Sequence, residues 1–454
     1  MSRDRELASD ALQDASQLRD WILQGSKGPD AQLGVGVEHE KVGFADLDAT
    51  PIAYHGEHGI ARLLELLAER YGWEKHFDGG HLMALERERA AITLEPGGQL
   101  ELSGAVQPDV FGVQDELHTH LREVRAVSKE LGIEWMFAGV NPWRSADEIP
   151  WVPKPRYNVM KQYLPRRGPL APWMMKTTAS IQANFDFRDE ADAMQILRVG
   201  ALASPIVTAI FANSPIREAK NTGLASFRMA IWEDTDRDRC GTPGFMLRED
   251  ATMQDYVEWI LDVPMFFIKR DNRYIDMAGH SFREFFEKGF EGHRANIGDW
   301  ELHLSTAFPD IRVKQYIETR TTDVGMPGHI TALAALWKGL FYDQEARDEI
   351  FRLPLAREVN ESDALIRAVR EDGLDARIRE NSVRELATEI IAIARRGLGR
   401  QIGPRGDERP FLDPLFNANG GVESPGERFL RDWDALNGDP RALIPRWGLT
   451  DDIG

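Results

Sequence analysis

Polar and charged side chains recur two positions apart in five short stretches of this chain. The stretches are Glu38-His39-Glu40, Glu95 to Glu101, Gln182-Ala183-Asn184, Arg228 just ahead of Ile231-Trp232, and Glu318-Thr319-Arg320. Side chains two apart on a strand point to the same face, so each stretch predicts a strand with one polar face. Crowded carboxylates repel one another and lose hydration unless a cation neutralises them. The pattern therefore predicts a divalent metal ion with an anionic ligand on the polar face of a sheet.

The segment from Glu95 to Glu101 is the most specific of the five. Pro96-Gly97-Gly98 is a strong turn signal between two short strands. Such a turn folds the strands together, so that Glu95 and Glu101 can converge with Gln99 between them. Oxygen ligands of this kind suit Mg²⁺ or Mn²⁺ better than zinc. An acidic hairpin exposed to solvent is the alternative interpretation.

The arginines and amides of the other stretches each allow two interpretations. Glu318-Thr319-Arg320 is either a cross-strand salt bridge or a metal ligand beside an arginine that binds phosphate. Arg156 and Arg228 are candidates for binding a substrate carboxylate, although exposure at the surface is the common state of arginine. Gln182 and Asn184 alternate with apolar residues, which makes them either exposed amides or groups that orient a ligand.

Periodicity predicts the elements that position these side chains. Strands are expected at 33–44, 91–94, 99–103, 177–187 and 313–320, a hairpin at 265–277, and helices at 1–24, 60–71, 109–131 and 190–212. His118 and His120 fall on one of these helices and are expected to face solvent. Residues 142–172 contain seven prolines and predict a functional loop. The chain after residue 330 predicts helices, and the last 50 residues predict an extended surface tail.

Composition narrows the possible partners of the chain. The net charge of -19 argues against nucleic acid and anionic membranes. No apolar run reaches the roughly 18 residues of a membrane span, and the start of the chain lacks the layout of a signal peptide. The single cysteine, Cys240, excludes an intrachain disulfide and fits a reducing compartment. These features predict a cytoplasmic protein with small-molecule substrates, and no P-loop or dinucleotide fingerprint identifies a nucleotide site.

Six segments in collinear order resemble the glutamate–cysteine ligases of the plant and proteobacterial type. The segments are residues 36–44, 94–104, 182–187, 211–215, 232–239 and 316–320. The resemblance implies an α+β, glutamine-synthetase-like fold, in which a curved, mostly antiparallel sheet forms a funnel with helices packed outside. It also implies one catalytic domain over residues 1–454, with a ligase core at 34–345 and a mainly helical C-terminal extension at 346–454.

The resemblance further implies the reaction. ATP would phosphorylate the γ-carboxylate of L-glutamate, and the amine of L-cysteine would displace phosphate from this γ-glutamyl phosphate in the first step of glutathione biosynthesis. Mg²⁺, with Mn²⁺ as a substitute, would be the cofactor of a monomer or homodimer. Three alternatives remain open at this point: a γ-glutamyl ligase for another amine, a metal-dependent phosphohydrolase that uses the same acids, and an inactive relative that senses its ligand.

Motif position implies a role for each candidate residue. The implied metal ligands are Glu38, Glu40, Glu95, Gln99, Glu101 and Glu318. The implied nucleotide-binding residues are Arg320 and Lys41. The implied substrate-binding residues are Arg156, Arg228, Trp232, Gln182 and Asn184, of which Arg228 would hold glutamate. Arg228 and Arg320 are the implied catalytic residues.

Overall fold

Antiparallel pairing joins four of the five predicted polar stretches into one sheet. The structure is a computed structural model and describes residues 11–271 and 273–452. The strands are β1 (Val35–Phe44), β2 (Glu74–Asp78), β3 (His81–Arg87), β4 (Ala90–Leu94), β5 (Leu100–Ser103), β6 (Glu134–Met136), β7 (Ser180–Phe185), β8 (Ile216–Arg217), β9 (Lys220–Asn221), β10 (Cys240–Gly241), β11 (Phe267–Arg270), β12 (Arg273–Asp276), β13 (Phe308–Pro309), β14 (Ile311–Val313), β15 (Ile317–Asp323), β16 (Arg377–Ile378) and β17 (Asn381–Ser382).

Helices supply most of the remaining regular structure. The α-helices are α1 (Ser16–Leu23), α2 (Ile60–Tyr71), α3 (Val110–Leu131), α4 (Tyr157–Tyr163), α5 (Ala171–Thr177), α6 (Glu190–Ile210), α7 (Phe227–Glu233), α8 (Met253–Asp262), α9 (Phe282–Lys288), α10 (Ile297–Ser305), α11 (Pro327–Phe341), α12 (Gln344–Arg352), α13 (Val359–Asp372), α14 (Val383–Arg400), α15 (Pro425–Ala435) and α16 (Pro440–Trp447). Together with the strands they confirm the predicted α+β class.

Over residues 11–271 and 273–452, the main sheet has nine strands, all paired antiparallel. Its order is β14-β15-β7-β1-β5-β4-β3-β2, and β6 pairs with the end of β1. The register brings the predicted side chains together, because Glu40 lies opposite Glu101 and Glu38 lies opposite Gln182. Glu318 lies opposite Asn184 on the next strand pair. Residues paired in this way point to one face, so the sheet has the polar face that the sequence predicts.

The other face of the sheet is covered by α3, α6 and α11. On β7, Ile181, Ala183 and Phe185 are fully buried against these helices. The apolar length of α6 would suffice to cross a membrane, which the sequence analysis did not expect. However, 83% of its apolar window is buried inside the structure, so α6 is a core helix.

Several predicted elements differ in the structure. Residues 1–10 of the predicted first helix lie outside the described residues, and α1 begins only at Ser16. The strand predicted at 177–187 begins at Ser180, because α5 continues to Thr177. The proline-rich segment contains α4 and the first two residues of α5 rather than a continuous loop. The predicted hairpin forms from β11 and β12, and Asn272 in its turn lies outside the described residues.

The end of the chain is folded, which contradicts the predicted extended tail. The helices α15 and α16 bury Phe429, Leu443, Ile444 and Trp447. These side chains belong to the same hydrophobic core as the buried residues of the sheet. The sequence did not indicate these helices, because they are short and the turns between them are rich in Gly, Pro and Asp.

Candidate active site

The turn between β4 and β5 holds Glu95 at the start of the polar face. Gly98 has a φ of +84°, a conformation that favours glycine. A Cβ on Gly97 would lie 2.2 Å from the carbonyl oxygen of Lys176, so only glycine allows this close approach. The Glu95 amide donates to the Gln99 carbonyl over 3.0 Å and closes the turn.

Glu40, Glu95 and Glu101 form an acidic triad on this face. Their carboxylate oxygens lie within 4.8 Å of one another. Glu40 is 8% exposed and Glu101 is 2% exposed. The Ser180 amide donates to Glu40 over 2.7 Å, and the Thr93 hydroxyl donates to Glu101. Within the described part of the chain, no lysine or arginine forms an ion pair with any of the three acids.

Repulsion between the carboxylates of the triad helps to raise the pKa values of Glu40 and Glu101. Burial, together with the charges of Glu95 and Glu101, raises the pKa of Glu40 well above its ordinary value. Burial and the neighbouring charges of Glu38 and Glu95 raise the pKa of Glu101 to about 7. Two buried carboxylates and the half-buried one of Glu95, without a cation partner among the described residues, fit a divalent ion that prefers oxygen ligands. The residues present therefore match the predicted Mg²⁺ or Mn²⁺ site.

The raised pKa of Glu101 predicts how Mg²⁺ stabilises the protein. The pKa is about 7 in the folded state against an ordinary value of 4.5, so the folded state binds more protons between these values. The free energy of unfolding of the metal-free protein should therefore fall as the pH rises from about 5 to above 7. Mg²⁺ bound at the triad would remove this loss by neutralising the carboxylates. The increase in Tm on adding saturating Mg²⁺ should be larger at about pH 8 than at about pH 6.

A thermal-shift titration measures this difference directly. The variant Glu101→Gln lacks the titrating group and should show a smaller dependence of the Mg²⁺ shift on pH. An Mg²⁺ shift that is equal at both pH values in the unaltered protein would contradict the assignment of the triad as the metal site.

Glu318 differs from the triad because arginines neutralise it. Arg312 donates to both of its oxygens over 2.8 Å, and Arg320 donates to one of them. Burial alone would raise the pKa of Glu318, but Arg312, Arg320 and Lys314 hold it well below its ordinary value. A metal ion at Glu318 would have to displace an arginine. The structure thus supports the salt-bridge interpretation of this stretch, and metal binding by Glu318 stays a prediction.

Gln99 holds the hairpin in place rather than facing the triad with a free oxygen. Its side-chain oxygen accepts from the Gly97 amide over 3.0 Å, and its NH₂ group donates to the Thr178 carbonyl over 2.9 Å. These bonds tie the turn to the end of α5. The amide oxygen has a second lone pair, so these bonds do not exclude a metal ion, and metal binding by Gln99 stays a prediction.

Lys41 lies on the opposite side of the sheet from the triad. It is fully buried, and its ammonium group lies 3.0 Å from Nε2 of His120 and 3.4 Å from Nδ1 of His39. Burial lowers the pKa of Lys41 to about 7. This placement contradicts the prediction that Lys41 binds nucleotide. It also contradicts the expected exposure of His120, which is 1% exposed.

Arg228 reaches the polar face from a helix, not from a strand as predicted. It is the second residue of α7, whose first turn is capped by the Ser226 hydroxyl. Its guanidinium donates to the carbonyls of Thr321 and Arg320 over 3.1 and 3.2 Å, where β15 has a bulge. Asp323 lies 3.8 Å away as its counter-ion. The Nε–H of Arg228 is buried without a partner among the described residues.

Asp323 is a positioning residue that sequence reasoning missed. It is fully buried and accepts from the Asn213 amide over 2.8 Å and from the Ser214 hydroxyl over 2.6 Å. The Ser226 hydroxyl also donates to it. The alternation that selected Glu318 and Arg320 breaks at the bulge of β15, so the sequence carried no signal for this residue.

The remaining predicted substrate residues lie around the triad. The Gln182 side-chain oxygen accepts from Arg320 over 2.5 Å, and the Asn184 amide donates to Glu38 over 3.1 Å. Arg156 is 9% exposed and lies over the ring of Tyr157. The guanidinium of Arg228 lies 5.6 Å from the ring centre of Trp232.

Three adjoining cavities open onto the polar face. The acidic cavity, of about 120 Å³, is lined by the triad with Glu38, Arg156 and Arg228. The arginine cavity, of about 310 Å³, is lined by Arg228, Arg237, Arg320 and Arg367. The lysine cavity, of about 980 Å³, is lined by Lys154, Lys269 and Lys314. Arg228 and Arg320 border both of the first two cavities, and Glu38 borders the acidic and lysine cavities. The acidic cavity, which contains the triad, therefore adjoins both the arginine cavity and the lysine cavity.

Cys240 lies in the wall of the arginine cavity. Burial raises the pKa of its thiol to about 12, which leaves little thiolate to react with oxidants. We therefore expect less than a roughly twofold difference in activity between protein treated with thiol reductants and protein treated with a mild oxidant. An activity assay of both samples measures this, and a large difference would show that Cys240 is a redox-sensitive group.

The chain is similar to known proteins along nearly all of its length. Residues 34–415 match the family model described as glutamate–cysteine ligase family 2. A chloroplastic glutamate–cysteine ligase of Arabidopsis thaliana is 39% identical over 437 residues, which cover 95% of this chain and 80% of the relative. The corresponding chloroplastic protein of Medicago truncatula is 37% identical and covers 91% and 80%. Since these relatives are named as chloroplastic, the prediction of a cytoplasmic protein is wrong.

Solved structures with low sequence identity share the fold. A glutamate–cysteine ligase of Francisella tularensis in complex with AMP has a TM-score of 0.58 at 12% identity, covering 92% of this chain and 88% of its own. A bifunctional glutathione synthetase of Pasteurella multocida has a TM-score of 0.54 at 12% identity, covering 95% and 53%. At such low identity the likeness shows the shared sheet architecture.

Proposed function

The chain belongs to glutamate–cysteine ligase family 2, and from this premise we propose that the acidic triad is the place where ATP and glutamate meet. The enzyme is a glutamate–cysteine ligase: it joins the γ-carboxylate of L-glutamate to the amine of L-cysteine at the expense of ATP, in the first step of glutathione biosynthesis. The observation that carries the proposal is the cluster of Glu40, Glu95 and Glu101 without a cation partner among the described residues.

The triad would hold Mg²⁺ through its carboxylate oxygens. Mg²⁺ bound there supplies positive charge for the phosphate oxygens of ATP and for the carboxylate that accepts the phosphoryl group. Phosphoryl transfer depends mainly on positioning and charge neutralisation, which this face provides without a protein nucleophile. Glu38 adjoins the triad at the border with the lysine cavity and completes the acidic wall.

The lysine cavity fits the nucleotide. Lys314 is 5% exposed in its wall, and burial lowers the pKa of its ammonium to about 8. Lys154 and Lys269 add further positive charge for a triphosphate. Phe77 is 64% exposed in the same wall and offers an aromatic face to a base. The AMP-bound structure of the Francisella tularensis relative supports a nucleotide site in this fold.

The arginine cavity fits glutamate. Arg228 is 4% exposed, and its unpartnered Nε–H provides a charged donor for a carboxylate. Arg320 borders the same cavity and is oriented by Gln182 and Glu318. Glutamate bound between these arginines would present its γ-carboxylate to the acidic cavity that shares them. The three cavities then form one site within a single catalytic domain.

ADP production tests this function against the alternatives. The ligase requires both glutamate and an amine, so ADP release with Mg²⁺-ATP should depend on both and should be fastest with cysteine in a panel of amino acids. A phosphohydrolase would release phosphate without an amine, and a ligand sensor would bind nucleotide without turnover. Equal rates with several amines would favour a γ-glutamyl ligase of broader specificity.

A further inference from the structure

One carboxylate in the arginine cavity, that of Asp310, belongs neither to the triad nor to the ion pairs of Arg228 and Arg320. Asp310 follows β13, and its Oδ2 accepts from the Thr242 hydroxyl over 2.5 Å. Its Oδ1 has no hydrogen-bond or ion-pair partner among the residues that the structure describes. Burial raises the pKa of Asp310, while Thr242, Arg228 and Arg320 favour its charged form.

The other acids of the cavity are either paired or exposed. Glu233 is neutralised by Arg370, which donates to it over 2.7 Å. Asp363 is exposed at the rim. Asp310 is therefore the partly buried carboxylate of this cavity that remains open to a cationic ligand.

Arg228 lies between the triad and Asp310. It lines the acidic cavity together with Glu40 and the arginine cavity together with Asp310, and its guanidinium interacts electrostatically with Asp323, Glu40 and Asp310. The two groups bring opposite charges to one cavity: the buried Nε–H of Arg228 can donate to a carboxylate, and Oδ1 of Asp310 can accept from an ammonium group. An α-amino acid carries both of these groups on one carbon atom.

We propose that Asp310 binds the α-ammonium group of the glutamate substrate and selects α-amino acids over plain dicarboxylates. This inference rests on the proposed function, because it requires glutamate to occupy the arginine cavity with its α-carboxylate at Arg228. The specificity comes from the charge-assisted hydrogen bond between ammonium and Oδ1, which a dicarboxylate without an amine cannot make.

The chemistry of the reaction favours glutamate over cysteine at this position. The amine of the acceptor must lose its proton before it can attack the activated γ-carboxylate. A carboxylate beside that amine would stabilise the ammonium form and lower its reactivity. The amine of glutamate stays charged and does not react, so a carboxylate partner for it does not slow the reaction.

Binding of glutamate and of glutarate, which lacks the α-amine, tests the proposal. Calorimetry with Mg²⁺ and a non-hydrolysable ATP analogue gives both dissociation constants. In Asp310→Asn the Kd of glutamate should rise roughly 10- to 100-fold, while the Kd of glutarate should change by less than about threefold. The Asn side chain can still accept from Thr242, so the loop keeps its hydrogen bond. The matched variant Asp372→Asn, exposed at the end of α13 and outside the lining of the three cavities, should leave both constants unchanged.

Two results would overturn the proposal. One is an equal weakening of glutamate and glutarate in Asp310→Asn, which would indicate a structural role. The other is an unchanged preference for glutamate in that variant. If Asp310→Asn does not fold, the unaltered protein still tests the role of Asp310. Glutarate and N-acetylglutamate should bind to it at least about tenfold more weakly than glutamate. Equal affinities would refute the role. Absence of glutamate-dependent ADP release from the unaltered protein would instead refute the proposed function itself.

Discussion

Replacing Glu101 by Gln is expected to reduce turnover about a thousandfold while leaving the fold intact. Glu101 lies at the centre of the polar face, opposite Glu40 on β1 and beside Thr93 on β4. Gln has nearly the same volume and can still accept from the Thr93 hydroxyl, but it removes one of the three charges that would hold Mg²⁺. The loss should appear in kcat at saturating ATP and glutamate, and in a weaker apparent affinity for Mg²⁺.

The same variant should be as stable as the unaltered protein, or more stable, when metal is absent. The raised pKa of Glu101 shows that its charge is unfavourable among its neighbours, so a neutral side chain relieves repulsion. The control is Glu74→Gln on the exposed edge strand β2, which should keep full activity. Full activity of Glu101→Gln at an unchanged Tm would remove Glu101 from the metal site.

Replacing Arg228 by Lys is expected to raise the KM for glutamate about a hundredfold. The arginine donates to two carbonyls of β15 and still offers a buried Nε–H to a ligand, whereas lysine has no planar fork to do both. Losing the charge-assisted hydrogen bond between the Nε–H and the substrate carboxylate costs up to about 3 kcal/mol, and each 1.4 kcal/mol is about a factor of ten. The KM for ATP should change far less, because the lysine cavity does not include Arg228.

Steady-state kinetics with glutamate and ATP varied separately measure this difference. Arg166→Lys is a suitable control, since Arg166 is exposed and lies outside the lining of the three cavities. Equal increases in both KM values for Arg228→Lys would indicate general damage to the site. An unchanged KM for glutamate would place this substrate elsewhere.

The acidic part of the site was predictable because strand geometry is local. Glu38, Glu40 and Glu101 follow a period of two, and the Pro-Gly-Gly turn brings Glu95 to them. The same rule, applied strictly, excludes Lys41: it is an odd-numbered residue on a strand whose even-numbered residues face the site. The motif resemblance suggested a role for Lys41 that strand geometry contradicts.

Residues that reach the site from other elements were harder to predict. Arg312 and Lys314 lie two apart, like the residues of the predicted stretches. Only the pairing of β14 with β15 brings them to Glu318, and this pairing cannot be read from the sequence. Arg228 occupies a seven-residue helix too short for a periodic pattern, although Ser226 is a typical N-terminal cap. Only tertiary contacts across the bulge of β15 identify Asp323 as part of the site.

The most direct test of the central claim is the position of a metal ion in a crystal grown with Mn²⁺ and a non-hydrolysable ATP analogue. Mn²⁺ replaces Mg²⁺ at oxygen sites and gives an anomalous signal. We expect an anomalous peak at about 2.0–2.3 Å from oxygens of Glu40, Glu95 and Glu101, with the triphosphate extending into the lysine cavity. A peak bound only elsewhere, with the triad left without metal, would contradict the proposed site.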